Sequence, residues 1–479
     1  MHLHEAALAI QAQAVGADVA ITAVSTDSRD LPAGCLFVAL KGPRFDGHKF
    51  AAKALEQGAA AVMVAASAQL KVGPALVVDD TLQALGRLAA WHRARMPAKV
   101  AAITGSNGKT TVKEMLAAIL AAEVGAEVGK DCVLATAGNL NNDIGMPLTL
   151  LKLTPRHRYA AIEMGMNHPG EIAYLTQIAR PDVALVNNAL RAHLEGLGSV
   201  EAVARAKGEI YAGLKAGGIA IVNADDPHAQ MWRGLAGGHK VMSFGFAENA
   251  DVRIQAGALE TPAGRIEINL QVPGDHNLRN AAAAASLALA LGVSTDAIQR
   301  GLAAYDGVKG RLQAHACILG ATLIDDTYNA NPDSVLAAIQ VLAARPGQRI
   351  LVLGDMGELG PDAANLHREV GEQARAAGID RLLCLGEMSV HTVQGFGAGL
   401  AENSAMHFER IEELLAEIEC ALADEQPPRS APPLAAPRGG AMPALGRPGG
   451  GPVTVLVKGS RFMQMERVVK SFIEEQICS

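Results

Sequence analysis

Aromatic residues are scarce in this sequence, with 2 Trp, 5 Tyr and 9 Phe among 479 residues. That argues against a single-strand nucleic-acid binder that stacks bases on aromatic platforms, and it leaves Ala, Leu and Val to build the cores. A basic run is also missing. The 42 Lys and Arg against 49 Asp and Glu leave a net charge of −7, so there is no electrostatic footprint for a DNA or RNA backbone. The six cysteines (Cys35, Cys132, Cys317, Cys384, Cys420, Cys478) form no CxxC pair. Neither a zinc site nor a disulfide framework is indicated, and a reducing compartment fits best. No apolar run approaches the roughly 20 residues that cross a bilayer, and the N-terminus lacks the basic and apolar regions of a signal peptide. These absences predict a soluble cytoplasmic protein with no membrane span.

What is present is a globular composition, 49% hydrophobic and 19% charged. At roughly 150 residues per domain, the length predicts about three domains. Short strand-like and helix-like pieces alternate over the first 80 or so residues, as in a small α/β unit. The strand-like run 99–104 then leads through Gly105-Ser106-Asn107-Gly108-Lys109-Thr110-Thr111 into a helix over 111–123, the order that a mononucleotide-binding unit needs. Apolar strands at 159–164, 183–187 and 218–223 predict a mostly parallel sheet covered on both faces. A hairpin of two strands around Thr261-Pro262-Ala263-Gly264 interrupts this rhythm, and a long Ala-rich helix follows over 277–291. A further βα series from about Ala321 predicts a second Rossmann-like domain, whose last helix spans 462–475. Between Pro427 and Pro452 lie 8 Pro and 6 Gly in 26 residues, which reads as a mobile surface insertion.

The glycine-rich turn carries the strongest chemical signal. Its glycines let backbone N–H groups wrap a phosphate at a helix N-terminus, Lys109 neutralises that phosphate, and the Thr110 hydroxyl reaches Mg²⁺. It departs from the full GxxxxGK[ST] pattern at Ile103, and a chance glycine turn is the alternative. The amide cluster Asn139, Asn141 and Asn142 is open between a turn and a ligand site. Glu163, at a strand end, is either a Mg²⁺ ligand or a core-edge carboxylate paired with a base. Taken alone, His193 reads as structural, and Lys207 as a solvated lysine starting a turn of helix.

Together, GSNGKTT (105–111), GNLNNDIG (138–145), Glu163-Met164-Gly165, HLEGLGS (193–199), AKGEI (206–210), DDTYNANPDS (325–334), LGDMGELG (353–360) and VKGSR (457–461) resemble, in one order, the motifs of the Mur ligase family. The likeness spans almost the whole chain, including TDSR (26–29) and KGPRFDGH (41–48). YNANP together with LGDMGELG is the most discriminating part, and it is similar to the members that join D-alanyl-D-alanine to UDP-N-acetylmuramoyl-tripeptide. Three departures stand out: Phe462 follows KGSR, Ala137 replaces a common proline before Gly138, and the 427–452 insertion is unlike typical members.

The resemblance implies an α/β protein of three domains. A small N-terminal α/β domain (1–83) would bind the UDP substrate, and a central ATPase (84–312) would carry a P-loop-type parallel sheet. A C-terminal Rossmann-like domain (313–479) would hold the insertion. The implied activity is ATP-dependent amide ligation through an acyl phosphate, in peptidoglycan precursor synthesis. ATP would be a co-substrate, and a monomer is expected. Lys109, His193 and Lys207 are the implied catalytic set. Thr110, Glu163, His193 and a carbamylated Lys207 would hold Mg²⁺. The phosphate loop (Gly105 to Thr111), Asn280, Arg311 and Asp326 would bind ATP. Ser28, Arg29, Lys41, Asp46, Asn139, Asn141, Asn142, Tyr328, Asn329, Asn331, Lys458, Ser460 and Arg461 would contact substrates, the last three opening the final helix. The alternatives are a sibling ligase that adds a single amino acid and a non-catalytic nucleotide-binding switch.

Overall fold

The computed structural model describes residues 1–125, 129–272, 274–397, 404–423 and 452–473. The Pro- and Gly-rich segment 427–451 therefore lies outside the described residues. The chain folds into two compact units. The first comprises 1–189, 201–270 and 277–305, and the second comprises 190–200, 271–276 and 306–479.

The first unit holds two large sheets and a two-stranded ribbon that pairs Lys41–Gly42 with Phe45–Asp46. In the first of them, β1 (Gln13–Val15), β2 (Ala23–Ser25), β3 (Cys35–Val38), β4 (Ala61–Ala65) and β5 (Ala75–Val78) lie in the order β1-β5-β4-β3-β2. The run CLFV in β3 is buried at every position, as expected of a strand covered on both faces. Helix α1 (Leu3–Ile10) and helix α2 (Thr81–Ala94) pack Leu3, Ile10, Leu85 and Leu88 against one side. Asp80 fixes the start of α2 by accepting from the N–H groups of Leu82 and Gln83, the usual N-cap arrangement.

The second sheet contains β6 (Lys99–Thr104), β7 (Val133–Ala135), β8 (Tyr159–Glu163), β9 (Val183–Val186), β10 (Ile219–Asn223), β11 (Lys240–Gly245), β12 (Val252–Gln255), β13 (Ala258–Thr261) and β14 (Gly264–Glu267). Their order is β14-β13-β12-β11-β10-β9-β6-β8-β7, parallel from β7 through β12 and antiparallel at the β12–β14 end. The chain leaves β6 towards the β7–β8 side and returns on the β9 side. The carboxyl end of β6 is therefore a topological switch point, where ligands of open α/β sheets bind. Helix α3 (Lys109–Val124) starts there.

In the second unit, β15 (Gln313–Ala316), β16 (Thr322–Asp326), β17 (Gln348–Gly354), β18 (Arg381–Leu385), β19 (Ala405–Phe408) and β20 (Val453–Lys458) form a sheet ordered β15-β16-β20-β17-β18-β19, all parallel except β15. Separate clusters of Val, Leu, Ile and Ala cover its two faces. These sheets and coverings are the α/β layers expected from the sequence.

Several local expectations are corrected. The expected two-strand hairpin is a meander of three strands, because Ala256 (φ 48°) and Gly257 (φ 77°) make an additional tight turn. An alanine in the left-handed region gives no turn signal in a sequence. The final helix is shorter than 462–475. Lys458 ends strand β20, Ser460 precedes a single 3₁₀ turn (Arg461–Met463), and the last α-helix described is Glu466–Phe472. Lys207 does not start a helix and is not solvated. It sits near the end of the helix Val200–Gly208, with 1% of its surface exposed.

Candidate functional site

The phosphate loop connects β6 to α3 with the backbone its glycines permit. Gly108 has φ 81°, and a side chain there would collide with the carboxamides of Asn187 and Asn280. Lys109 Nζ donates to Gly105 O at 2.8 Å and more weakly to Ser106 O at 3.4 Å, folding back over the loop. Ser106, Thr110 and Thr111 are buried.

Two residues not singled out from the sequence hold this loop. The N–H of Asn107 donates to Asn188 Oδ1 at 2.9 Å, and that of Ser106 to Asn188 O at 3.0 Å. Asn187 Nδ2 donates to Asn107 O at 2.9 Å and to Asn280 Oδ1 at 3.0 Å. Asn280, at the start of the buried Ala-rich helix (Asp275–Ala290), thus meets the loop through Asn187. Two consecutive amides directly after the apolar run VALV were the signal available, since a strand's carboxyl end beside a phosphate turn is where polar groups meet a ligand.

Glu163 ends β8 opposite Ile103 and is 2% exposed. Thr110 Oγ1 donates to its Oε2 at 2.9 Å, Asn141 Nδ2 donates to its Oε1 at 2.7 Å, and its own N–H donates to Thr136 Oγ1. A loop hydroxyl and a buried carboxylate therefore lie side by side. Oxygen donors of this kind suit Mg²⁺, which takes one or two carboxylates and otherwise water and phosphate. Gly165 must be small because the Asn141 carboxamide packs on it. The other two amides of that cluster lie differently. Asn142 Oδ1 accepts from Gly145 N at 2.9 Å, capping the following helix (Gly145–Leu150), and Asn139 is exposed.

Lys207 has no hydrogen-bond or ion-pair partner among the described residues. Burial, and then the nearby Lys109 charge, push its ammonium well below the ordinary lysine range. In the same unit, Ser28 is half-buried. Arg29 is exposed and bonded to Asp27. Lys41 is exposed, and Asp46 Oδ1 lies 2.7 Å from His48 Nδ1.

The second unit gathers its predicted residues at the carboxyl ends of β16, β20 and β17. Lys458 stands opposite Asp326 in the register, and its Nζ donates to Asp326 Oδ2 at 2.6 Å and to Asn329 O at 2.9 Å. Burial raises the Asp326 carboxyl above the usual range, against the opposing charge of Lys458. Ser460 Oγ donates to Ala330 O and accepts from Gly357 N at 2.8 Å. That hydroxyl ties the YNANP, LGDMGELG and VKGSR segments together. Asn331 caps the helix Pro332–Ala343 through Ser334 N, with Pro332 in its first turn. The N–H of Arg461 donates to Asn329 Oδ1 at 3.3 Å. The Arg311 guanidinium lies 4.2 Å from the centroid of the Tyr328 ring.

His193 is carried by the second unit. It has φ 58°, and its Nδ1 lies 2.7 Å from a carboxylate oxygen of Glu358, itself at φ 61°. Arg191, two residues earlier, fastens the segment: its guanidinium bonds Asp333 and Glu369, and its N–H bonds Asp333 Oδ2. Arg191, Glu358 and Glu369 were not legible as partners. No cluster of three or more His, Cys, Asp or Glu side chains placed to hold a metal occurs among the described residues. Nor is any of their helices long and apolar enough to cross a membrane.

Comparison with known proteins places the chain in a family. Three family descriptions match consecutive parts of the chain: "Mur ligase family, catalytic domain" at 20–102, "Mur ligase middle domain" at 103–288 and "Mur ligase, glutamate ligase domain" at 310–426. The UDP-N-acetylmuramoyl-tripeptide--D-alanyl-D-alanine ligase of Escherichia coli is 45% identical over 475 residues, covering 97% of this chain and 96% of that protein. The enzyme of the same name from Haemophilus influenzae is 39% identical over 98% and 97% of the two chains. A crystal structure of MurF from Acinetobacter baumannii superposes with a TM-score of 0.84 at 35% identity, covering 98% of both chains. MurF ligase from Thermotoga maritima in complex with ADP gives 0.75 at 27% identity, over 94% of this chain and 96% of that one. With matching motifs, sheets and near-complete coverage, the chain belongs to the Mur ligase family.

Proposed function

We propose that this protein is an ATP-dependent ligase that joins D-alanyl-D-alanine to UDP-N-acetylmuramoyl-tripeptide, with ADP and phosphate as the other products. The observation that carries the reading is the pairing of a lysine-bearing phosphate loop with the buried Thr110–Glu163 contact, in a chain nearly coextensive with relatives of that named activity. In the first step an oxygen of the tripeptide's terminal carboxylate attacks the γ-phosphorus, and the bond to ADP breaks. The dipeptide amine then attacks the acyl carbon, phosphate leaves with the carboxyl oxygen, and the nitrogen gives up a proton.

The chain's own residues meet the demands of bringing two anions together. Lys109 supplies positive charge at the loop, and the α3 N-terminus favours phosphate. Asn187 and Asn188 tie the loop backbone to the strand end beside it, which favours a preformed loop. Thr110 and Glu163 are the residues that would hold a nucleotide-bound Mg²⁺, which when bound offsets phosphate charge. We assign His193 and Lys207 to a second one. A buried lysine beside another lysine is costly as an ammonium. Attack of its neutral nitrogen on CO₂, with loss of one proton, would convert it to an anionic carbamate suited to a cation and to Lys109.

In the second unit, Arg311 is assigned to a nucleotide phosphate and Asp326 to the ribose. Asn329, Ser460 and Arg461 are assigned to the enclosure of the dipeptide. Ser28, Arg29 and Lys41 are assigned to the UDP group, with Asp46 shaping their loop through His48. We divide these roles over domains 1–83, 84–312 and 313–479, in a monomeric cytoplasmic enzyme.

The test is phosphate release from ATP with each substrate left out in turn. Release should require both the tripeptide nucleotide and D-alanyl-D-alanine. Equal release without dipeptide means a plain ATPase, and turnover with a single amino acid in its place means a sibling ligase.

A further inference from the structure

We propose that Asn223 is a positioning residue for the phosphate loop, acting through the peptide that joins Asn187 to Asn188 and not on the nucleotide itself. The inference rests on the nucleotide-binding reading above and adds to it a buried side chain behind the segment that holds the loop.

The geometry lies within the first unit. The ladder between β9 and β10 ends at the pair Val186 and Val222, and the carbonyl of Asn187 lies one step past it. The Asn223 side chain continues the pairing there. Its Nδ2 donates to Asn187 O at 2.8 Å, and its Oδ1 accepts from the Asp225 N–H at 2.9 Å. These two partners fix which way the carboxamide points, because a carbonyl needs a donor and an N–H needs an acceptor. Asn223 and Asn187 are both buried, so water is not at hand to replace the bond.

The bonded carbonyl belongs to the planar unit that links Asn187 to Asn188, and both of those residues grip the phosphate loop. Asn187 Nδ2 and Asn188 Nδ2 donate to Asn107 O, while Asn188 Oδ1 and O accept from the N–H groups of Asn107 and Ser106. On either side, the Asn187 N–H donates to Thr104 O at 2.8 Å, and the Ala189 N–H donates to Asp226 Oδ2 at 3.0 Å. The ends of this short segment are thus held from β6 and from the turn after β10, and the Asn223 bond sets the tilt of the peptide between them. Tilt matters because loop donors act by placement, and a misplacement of about 1 Å costs roughly 100-fold in rate.

The experiment is calorimetric titration of the full-length protein with ADP and Mg²⁺, with steady-state kinetics and urea unfolding on the same variants. Asn223→Asp keeps the size of the side chain and the acceptor for the Asp225 N–H, but sets an oxygen against Asn187 O. It should weaken ADP binding by about five- to fifty-fold and raise KM for ATP, with KM for D-alanyl-D-alanine unmoved. Asn223→Ala should do the same. Tyr211→Phe removes a different buried bond to β10, from Tyr211 Oη to Ile221 O at 2.7 Å. It should lower the urea midpoint without changing ADP affinity. In an Asn187→Ala, Asn188→Ala background, Asn223→Ala should cause little further loss of ADP affinity. Unchanged ADP affinity in the Asn223 variants, failure of both to fold, an equal loss of affinity in Tyr211→Phe, or losses that add in full would each make Asn223 a structural residue or a direct contact and overturn the proposal. A wild-type protein that bound no ADP would overturn the nucleotide-binding reading, and this assignment with it. The two failures are therefore distinct.

Discussion

Lys458 and Asp326 form a buried ion pair at 2.6 Å, on neighbouring parallel strands whose register sets them opposite each other. With side chains 4% and 13% exposed, neither charge can fall back on water. Removing one partner of such a pair costs about 3–5 kcal/mol, because the other remains buried and uncompensated. Asp326→Ala should therefore advance the urea unfolding of the second unit by that order. The double variant Asp326→Asn, Lys458→Met should recover most of the stability without recovering ligation. A single variant as stable as wild type would show that the pair is not needed to hold these strand ends.

A second prediction concerns Asn141, whose carboxamide holds one oxygen of Glu163 while Thr110 holds the other. Partners that orient a metal ligand typically matter by about 10–100-fold in metal affinity or activity. Asn141→Ala should raise the Mg²⁺ concentration needed for half-maximal turnover within that range. Asn142→Ala, which removes only a helix cap, should act on stability by about 1 kcal/mol and leave the Mg²⁺ dependence in place. Magnesium titrations of the two variants separate these roles.

The contrast between Asn141 and Asn142 also shows what the sequence could tell. Strand, glycine turn and helix were legible around 99–124 because steric rules tie that pattern to local backbone. Neighbouring asparagines look alike in a sequence, and only the fold decides that one reaches Glu163 and the other caps a helix. Lys207 was misread for a related reason: AKGEI is a polar segment, and burial comes from elements distant in the chain. Asn187 and Asn188 carried a usable signal in their place after an apolar strand. The Arg191 bonds to Asp333 and Glu369 span more than 140 residues of chain, and nothing local announces them.

The pH dependence of stability should carry the mark of His367. This fully buried ring accepts the Met356 N–H at Nε2, at 3.0 Å, and donates from Nδ1 to Ala363 O at 2.8 Å. It is therefore neutral in the fold, and burial holds its pKa below the ordinary histidine value of 6.5. With the folded pKa lowered, the unfolded chain takes up the proton first. The contribution is complete above about pH 6.5 and is lost as pH falls from there towards the folded value. Urea midpoints measured from neutral to mildly acidic pH should drop on the acid side, and His367→Gln should flatten that drop while lowering the midpoint at neutral pH. An unchanged acid slope would assign it to other groups.

Lys207 supplies the last prediction. If its nitrogen carries CO₂ in the active protein, turnover should fall when the enzyme is equilibrated in CO₂-free buffer and recover on addition of bicarbonate. Native mass spectrometry should show the mass of one CO₂ lost and regained in step. Lys207→Met should be inactive and insensitive to bicarbonate. Its fold should persist, since an apolar side chain of similar length replaces an amine that has no partner among the described residues. Full activity of Lys207→Met, or a wild-type rate and mass indifferent to CO₂, would remove the carbamate from the site and leave Lys207 as a buried amine whose burial requires another explanation.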